Sequence, residues 1–402
     1  MSAPVRPVRV LVVDHTAQLG GAELALLRLC RELDPAQVSV RCLLLADGPL
    51  VAELTRAGVP TRVLPLVPRL STVSRSRVGA LVRATVPSSG AVLRFLVELT
   101  GLLRRCRPDV VHSTSLKADL LTLGPALLAG RPLVWHVHDR IAPDYLPAVL
   151  VRLVRLAARL PTRLVANSRA TAATLPRAAV VVHPGLGADQ VRDRPRPVPQ
   201  GAAVVGILGR ISPTKGQLEL VRALPEILAH HPHVECRVVG APLFGQEDHA
   251  RRVRAEARRL GVADRVRWVG PVADPSAELD RTTVLVHASP VPEPFGQVVV
   301  EAMARGVPVV ATDAGGVPEI VGRGREGRGV LVRPGDVPAL ARAVVEVLDD
   351  LPRAQERADR AHAEVSGTLT ARRTAEQVTA VWREVARSGR RRRPCRRRGP
   401  SR

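Results

Sequence analysis

Pro292-Glu293-Pro294-Phe295-Gly296-Gln297-Val298-Val299-Val300-Glu301-Ala302-Met303-Ala304-Arg305-Gly306-Val307-Pro308-Val309-Val310 holds a loop, a helix and a strand in one short stretch. Prolines flank Glu293, so that carboxylate belongs to a loop. Phe295-Gly296 forms a corner, and Gly296 permits close backbone approach. The run from Gln297 to Ala304 reads as a helix carrying Glu301, and Val307–Ala311 reads as a buried strand. The first N–H groups of that helix have no partner within it and suit an anion. On the plainer reading, Glu293 caps a turn and Glu301 lies on an exposed helix face.

The helix-to-strand step repeats along the chain. In the second half, Ala203–Leu208, Val234–Val239, Val266–Val269, Val284–Val286, Val307–Ala311 and Gly329–Val332 read as strands with helices between. In the first half the strands are Arg9–Asp14, Val38–Leu45, Val63–Leu66, Val110–His112, Leu133–Val137 and Leu164–Ala166, with Ala22–Leu33 a helix. Short apolar runs that do not alternate suit parallel sheets covered on both faces. Strand–helix alternation predicts an α/β fold of two Rossmann-like doubly wound domains. The expected boundaries are 1–184 for the first domain, a Pro/Arg-rich linker at 185–200, and 201–368 for the second. A closing helix is expected at 369–387 and a basic disordered tail at 388–402.

Length and charge narrow the class. A chain of 402 residues with 46% hydrophobic residues fits two real cores. Aromatics are only 2%, which argues against base stacking, and nucleic acid is not an expected partner. Net charge is +23, and Arg387–Arg402 holds nine arginines and no acid. That tail is either a solvated extension or a tether to anionic lipid or another polyanion. The five cysteines are odd in number and lack metal-ligand spacing, as expected of reduced thiols in a cytoplasm. Asp14 interrupts the N-terminal apolar run, so neither a signal peptide nor a membrane span is expected. The arginines of Ala148–Leu160, at 152, 155 and 159, lie among aliphatics. That segment, like Ser88–Arg107, reads as a surface helix with a buried apolar stripe or as a basic membrane face.

Only two lysines occur, Lys117 and Lys215, against an arginine-dominated background. Lys215 stands in Gly209-Arg210-Ile211-Ser212-Pro213-Thr214-Lys215-Gly216, just after the first strand of the second domain. Ligands of doubly wound sheets bind at such strand ends. Arg210 and Lys215 are placed to converge on one diphosphate; the alternative is a solvated basic turn. Thr312–Glu319 supplies a second glycine-rich loop on the same edge, and Gly20-Gly21 marks the first strand–helix junction. His136 and His138 share one side of a strand by period 2. No third metal ligand stands out, and His138, next to the strand end, is the better site candidate.

Together these segments resemble retaining glycosyltransferases of family 4, of the two-domain GT-B type. The resemblance runs from Arg9 to about Arg387. It rests on GGAE at 20–23, RPDVVH at 107–112, HVHD at 136–139, ANS at 166–168, GRISPTKG at 209–216, the block from Val286 to Val321, and GVLVRPGD at 329–336. His183-Pro184-Gly185-Leu186-Gly187 departs from the Asn-Gly-Val-Asp turn of many relatives.

What the resemblance implies is a nucleotide-diphosphate sugar, of UDP or GDP type, bound mainly on the second domain. Arg210 and Lys215 would hold its diphosphate, Glu293 the sugar hydroxyls and Glu301 the ribose. Backbone amides near Phe295, Gly296 and Gln297 would assist the phosphates. Gly20-Gly21 would approach from the other domain, and His138 and Glu293 would serve the reacting sugar. The closing helix would return to the first domain. The hydroxyl acceptor would be a lipid, a glycan or a small metabolite, with no metal and no cofactor beyond the donor. The expected location is cytoplasmic, with peripheral contact at an anionic inner membrane face as an option. Two other classes stay open: a nucleotide-sugar epimerase of the same architecture, and a non-catalytic nucleotide-sugar-binding scaffold. A glycoside hydrolase would not need the Arg-Lys loop.

Overall fold

A computed structural model describes residues 6–66, 89–193, 196–197, 201–243, 245–272, 274–324 and 327–391. The chain divides into two units. The first comprises 1–167, 174–182 and 371–402; the second comprises 168–173 and 183–370.

In the first unit the elements run β1 (Val8–Asp14), α1 (Gly21–Arg31), β2 (Val38–Leu44), α2 (Pro49–Arg56), β3 (Thr61–Val63), α3 (Ser89–Cys106) and β4 (Val110–Ser113). They continue with α4 (Leu116–Leu128), β5 (Leu133–Val137), α5 (Ala148–Ala157), β6 (Arg163–Ala166) and β7 (Val180–Val181). The sheet order is β3-β2-β1-β4-β5-β6-β7, with every pairing parallel. Two residues of Val180-Val181-Val182 form β7, a pairing too short to announce itself by periodicity.

The second unit holds α6 (Arg169–Ala172), β8 (Val204–Leu208), α7 (Gln217–His230), β9 (Glu235–Val239), α8 (Glu247–Arg259), β10 (Val266–Gly270) and α9 (Pro275–Arg281). Then come β11 (Val284–His287), α10 (Gln297–Ala304), β12 (Val309–Thr312), α11 (Val317–Val321), β13 (Val330–Val332), α12 (Val337–Asp349) and α13 (Leu351–Thr368). Its parallel sheet has the order β10-β9-β8-β11-β12-β13. Successive strand residues feed different cores: Val284 and Val286 pack with Ile227 and Val344, whereas Leu285 packs with Met303 and Val365. That is why these strands lack polar alternation. Each fully buried leucine or valine stabilises by roughly 1.5–3 kcal/mol relative to exposure. Asp336 and Asp350 accept from the backbone N–H groups of Ala339 and Arg353, and these caps set the starts of α12 and α13.

The segment expected as a linker makes several contacts within the second unit. Leu186 pairs with Thr370, Ala188–Gln190 form a 3-10 turn, and the Arg192 N–H donates to the Ala304 carbonyl. Arg196 is buried and donates to the carbonyls of Thr282 and Asp280. Arginine can do this because its planar fork satisfies several carbonyls at once.

The closing helix α14 (Ala371–Arg391) belongs to the first unit. It runs through positions 388–391, which were expected in the tail; 392–402 lie outside the described residues. Trp382 is fully buried and its indole N–H donates to His112 Nδ1 at 3.0 Å. Among the described residues no helix is long and apolar enough to cross a membrane.

Candidate functional site

In both sheets chain order reverses beside the first strand, between β1 and β4 and between β8 and β11. In this architecture loops leaving such strand ends diverge and form a crevice, the usual ligand position.

At the second unit's crevice, β8 delivers Gly209-Arg210 and β11 delivers His287. Lys215 Nζ donates to Glu293 Oε1 at 2.7 Å. His287 Nε2 lies 3.8 Å from Glu293 Oε2, buried and without a hydrogen-bond partner, while Nδ1 is 3.3 Å from the Thr312 hydroxyl. Burial opposes charge on Glu293, but Lys215 and then His287 hold its carboxyl well below the usual carboxylate range. Glu293 is therefore a fixed anion, suited to accept hydroxyl donors and unsuited to serve as a general acid near neutral pH.

Close backbone packing sets this cluster. Gly315 has φ +67°, and a Cβ there would come 2.0 Å from the Glu293 carbonyl oxygen. Gly216 has φ +84°, and its Cβ would meet the Ala288 carbonyl oxygen at 2.1 Å. Only glycine permits both conformations and approaches. Gln217 donates to the Arg210 carbonyl at 2.9 Å, and the Ser289 hydroxyl donates to the Thr214 carbonyl at 2.7 Å. The loop bearing Arg210 and Lys215 is thus fixed at several points.

Phe295 is buried and stacks on His183, with ring centroids 5.6 Å apart, so its side chain belongs to packing. No side chain caps the α10 start at Gly296-Gln297. Glu301, one turn on, accepts from Gln190 at 3.1 Å and Gln297 at 3.3 Å. Arg210 is exposed on the same loop as Lys215. The sequence reading missed Glu319, which accepts from the Arg169 and Ala170 N–H groups at 2.9 and 2.7 Å. It also missed His287, whose signal was a polar residue ending an apolar strand at the reversal.

At the first unit's crevice, Asp14 is fully buried at the end of β1 and accepts from Thr114 at 2.7 Å and Ser115 at 3.1 Å. His15 Nδ1 lies 2.7 Å from the Ser115 hydroxyl. His138 is half-buried beyond β5, its ring 4.2 Å from that of His136. Burial lowers its pKa, against the pull of Asp139 and Asp14. A neutral imidazole follows near neutral pH. Glu23 follows Gly20-Gly21; burial and then the charge of Asp14 push its carboxyl up to about 7. A Cβ on Gly20 would come 2.5 Å from Glu23 Oε2, whereas Gly21 faces open space. Among the described residues no three His, Cys, Asp or Glu side chains group to hold a metal ion.

Comparisons with known proteins identify the family. The family model described as glycosyl transferases group 1 matches residues 190–364, and a glycosyl transferase 4-like domain matches 20–185. The chain is 34% identical over 309 residues to a D-inositol 3-phosphate glycosyltransferase of Streptomyces scabiei, covering 69% of each chain. HepE of Anabaena, solved with UDP and glucose, superposes with TM-score 0.79 at 26% identity over 93% of this chain and 99% of that chain. Sucrose-phosphate synthase of Thermosynechococcus elongatus shares the fold, with TM-score 0.77 at 19% identity over 95% of this chain and 100% of that one.

Proposed function

The chain belongs to the glycosyl transferases group 1 family and is a hexosyltransferase-type enzyme of GT-B fold; we propose that it moves a sugar from a nucleotide-diphosphate sugar to a hydroxyl acceptor with retention of configuration. The observation that carries this reading is the Lys215–Glu293 contact at the β8/β11 reversal, with Arg210 on the same loop. UDP is the favoured nucleotide over GDP, because HepE was solved with UDP.

Lys215 and Arg210 stabilise negative charge growing on the departing diphosphate, a task metal ions perform elsewhere. No metal enters the proposal. Glu293, held ionised, accepts from sugar hydroxyls, and Glu301 accepts from the ribose. Amides at Phe295, Gly296 and Gln297 serve the phosphates. Gly20, Gly21 and the neutral His138 serve the reacting sugar. The bond from the anomeric carbon to the phosphate oxygen breaks while its bond to the acceptor oxygen forms. The acceptor proton passes to the leaving phosphate.

The acceptor belongs to glycolipid, polysaccharide or small-metabolite chemistry. The name shared by the relatives puts a phosphorylated cyclitol first in any panel. The proposed location is cytoplasmic, with peripheral contact to anionic lipid. Incubation of the full chain with UDP and GDP sugars and an acceptor panel tests the function. Acceptor-dependent release of nucleoside diphosphate is expected. Epimerised donor without transfer, or binding without turnover across the panel, overturns it.

A further inference from the structure

Large apolar side chains exposed to solvent are concentrated on three helices of the first unit. They are Leu93 and Val97 on α3, Leu120, Leu127 and Leu128 on α4, and Val149, Leu153 and Leu156 on α5, with Leu160 just beyond. Elsewhere among the described residues only Leu19 and Leu243 are comparably exposed. The helices α3 and α4 pack together, α4 touches α5, and Arg104 donates to the Leu128 carbonyl at 3.1 Å. The side chains therefore belong to neighbouring helices of one unit.

The pattern on α5 is the informative part. Val151, Val154 and Ala158 are buried, as a core-facing stripe requires. Yet Val149, Leu153, Leu156 and Leu160, at 65%, 58%, 60% and 57% exposure, form a second stripe at helical spacing on the outer side. A helix serving only its own core would place polar residues there. Exposed Arg152 and Arg159 lie along one flank of this stripe, and Arg155 between them donates to the Thr174 carbonyl at 2.8 Å. No acid occurs between Ala148 and Leu160, and the one acid of α4, Asp119, is buried. On α3, Glu98 is exposed among Arg94, Arg104 and Arg105.

We propose that the outer faces of α3, α4 and α5 form a docking surface for an anionic lipid bilayer. Leucines and valines enter the headgroup–acyl boundary, while the arginines reach phosphates from its edge. Charge selects this occupant. A second copy docking by two-fold symmetry would set the same arginines against themselves, whereas anionic lipid neutralises them. The surface lies on helices outside the donor cluster, so the proposal stands whether or not the transferase reading does.

Flotation of the full chain with phosphatidylcholine vesicles, with and without phosphatidylglycerol, tests it. Wild type is expected to bind the anionic vesicles and to release with salt. Leu153→Glu with Leu156→Glu is expected to lower partitioning by about tenfold or more, with a cooperative thermal unfolding transition like that of wild type as a check on folding. The milder pair Leu153→Ser and Leu156→Ser is expected to give the same direction with smaller loss. Arg152→Gln with Arg159→Gln is expected to remove the preference for anionic lipid. Wild-type binding by the leucine variants overturns the proposal, as does complete loss on deleting 392–402 alone. A wild-type dimer that the leucine changes dissociate, without vesicle binding, overturns it in favour of self-association.

Discussion

Substituting Lys215 removes both a cation aimed at the proposed diphosphate and the partner of the Glu293 carboxylate. Lys215→Ala is expected to lower kcat/KM by about 10²–10³-fold, the usual effect of losing one preorganised charge stabiliser. Lys215→Arg keeps the charge but not the compact donor and is expected to recover only part. Steady-state kinetics against donor concentration checks both, and near-normal activity in the alanine variant contradicts the assignment. Glu23 gives a pH test at the same scale. Its raised pKa means the folded chain holds a proton that the unfolded chain releases between about 4.5 and 7. Stability from this group therefore falls as pH rises through that window and then levels. Glu23→Gln lacks the effect, so variant-minus-wild-type stability is expected to grow from pH 5 to pH 8 in urea melts. A constant difference contradicts it. Lys215 was legible because lysine is rare in this chain, and Glu293 because prolines pin it to a loop. Glu319 was not legible: its partners at Arg169 and Ala170 are far away in sequence, and only folding brings them together.

Among the elements, α14 packs on the first unit through Ala375, Val378, Val381, Trp382, Val385 and Ala386. Trp382 is fully buried and its indole N–H satisfies His112 Nδ1, while burial lowers the His112 pKa to about 3 and so keeps the ring neutral. Trp382→Phe is expected to cost roughly 1–3 kcal/mol, chiefly by leaving His112 Nδ1 unpaired. Trp382→Ala is expected to cost roughly 3–5 kcal/mol through the cavity. Denaturant melts check this, and a loss under about 0.5 kcal/mol for the alanine variant contradicts the packing role. The sequence announced most strands because each is a short valine- or leucine-rich run. Pro, Arg and Asp mark Gly185–Gln200 as a linker by composition, and composition does not reveal that Arg196 there bonds to carbonyls of the second unit. For α5 the spacing supported either a core stripe or a membrane stripe. The helix carries one apolar stripe on each side.

Across the whole molecule, each unit has its own parallel sheet and its own cores. A donor read mainly by the second unit is expected to stabilise that unit first. UDP at about a hundred times its Kd adds about 2.7 kcal/mol to the state that binds it. Hydrogen exchange is then expected to slow at 209–216, 288–301 and 312–317 more than anywhere in the first unit. Protection confined to the first unit contradicts the donor assignment. The doubly wound class followed from strand–helix alternation, and chain reversal beside β8 explains why Arg210, Lys215, His287 and Glu293 share one edge. The second unit's claim on 168–173 was not visible, because four short helical residues, Arg169–Ala172, carry no periodic signal.

The most direct test of the central claim follows the anomeric proton by NMR while the full chain turns over a UDP α-linked hexose with an acceptor. The account predicts an α-linked product and UDP in equal amounts, both lost together in Lys215→Ala. A β-linked product, or donor altered without any acceptor bond formed, would contradict it.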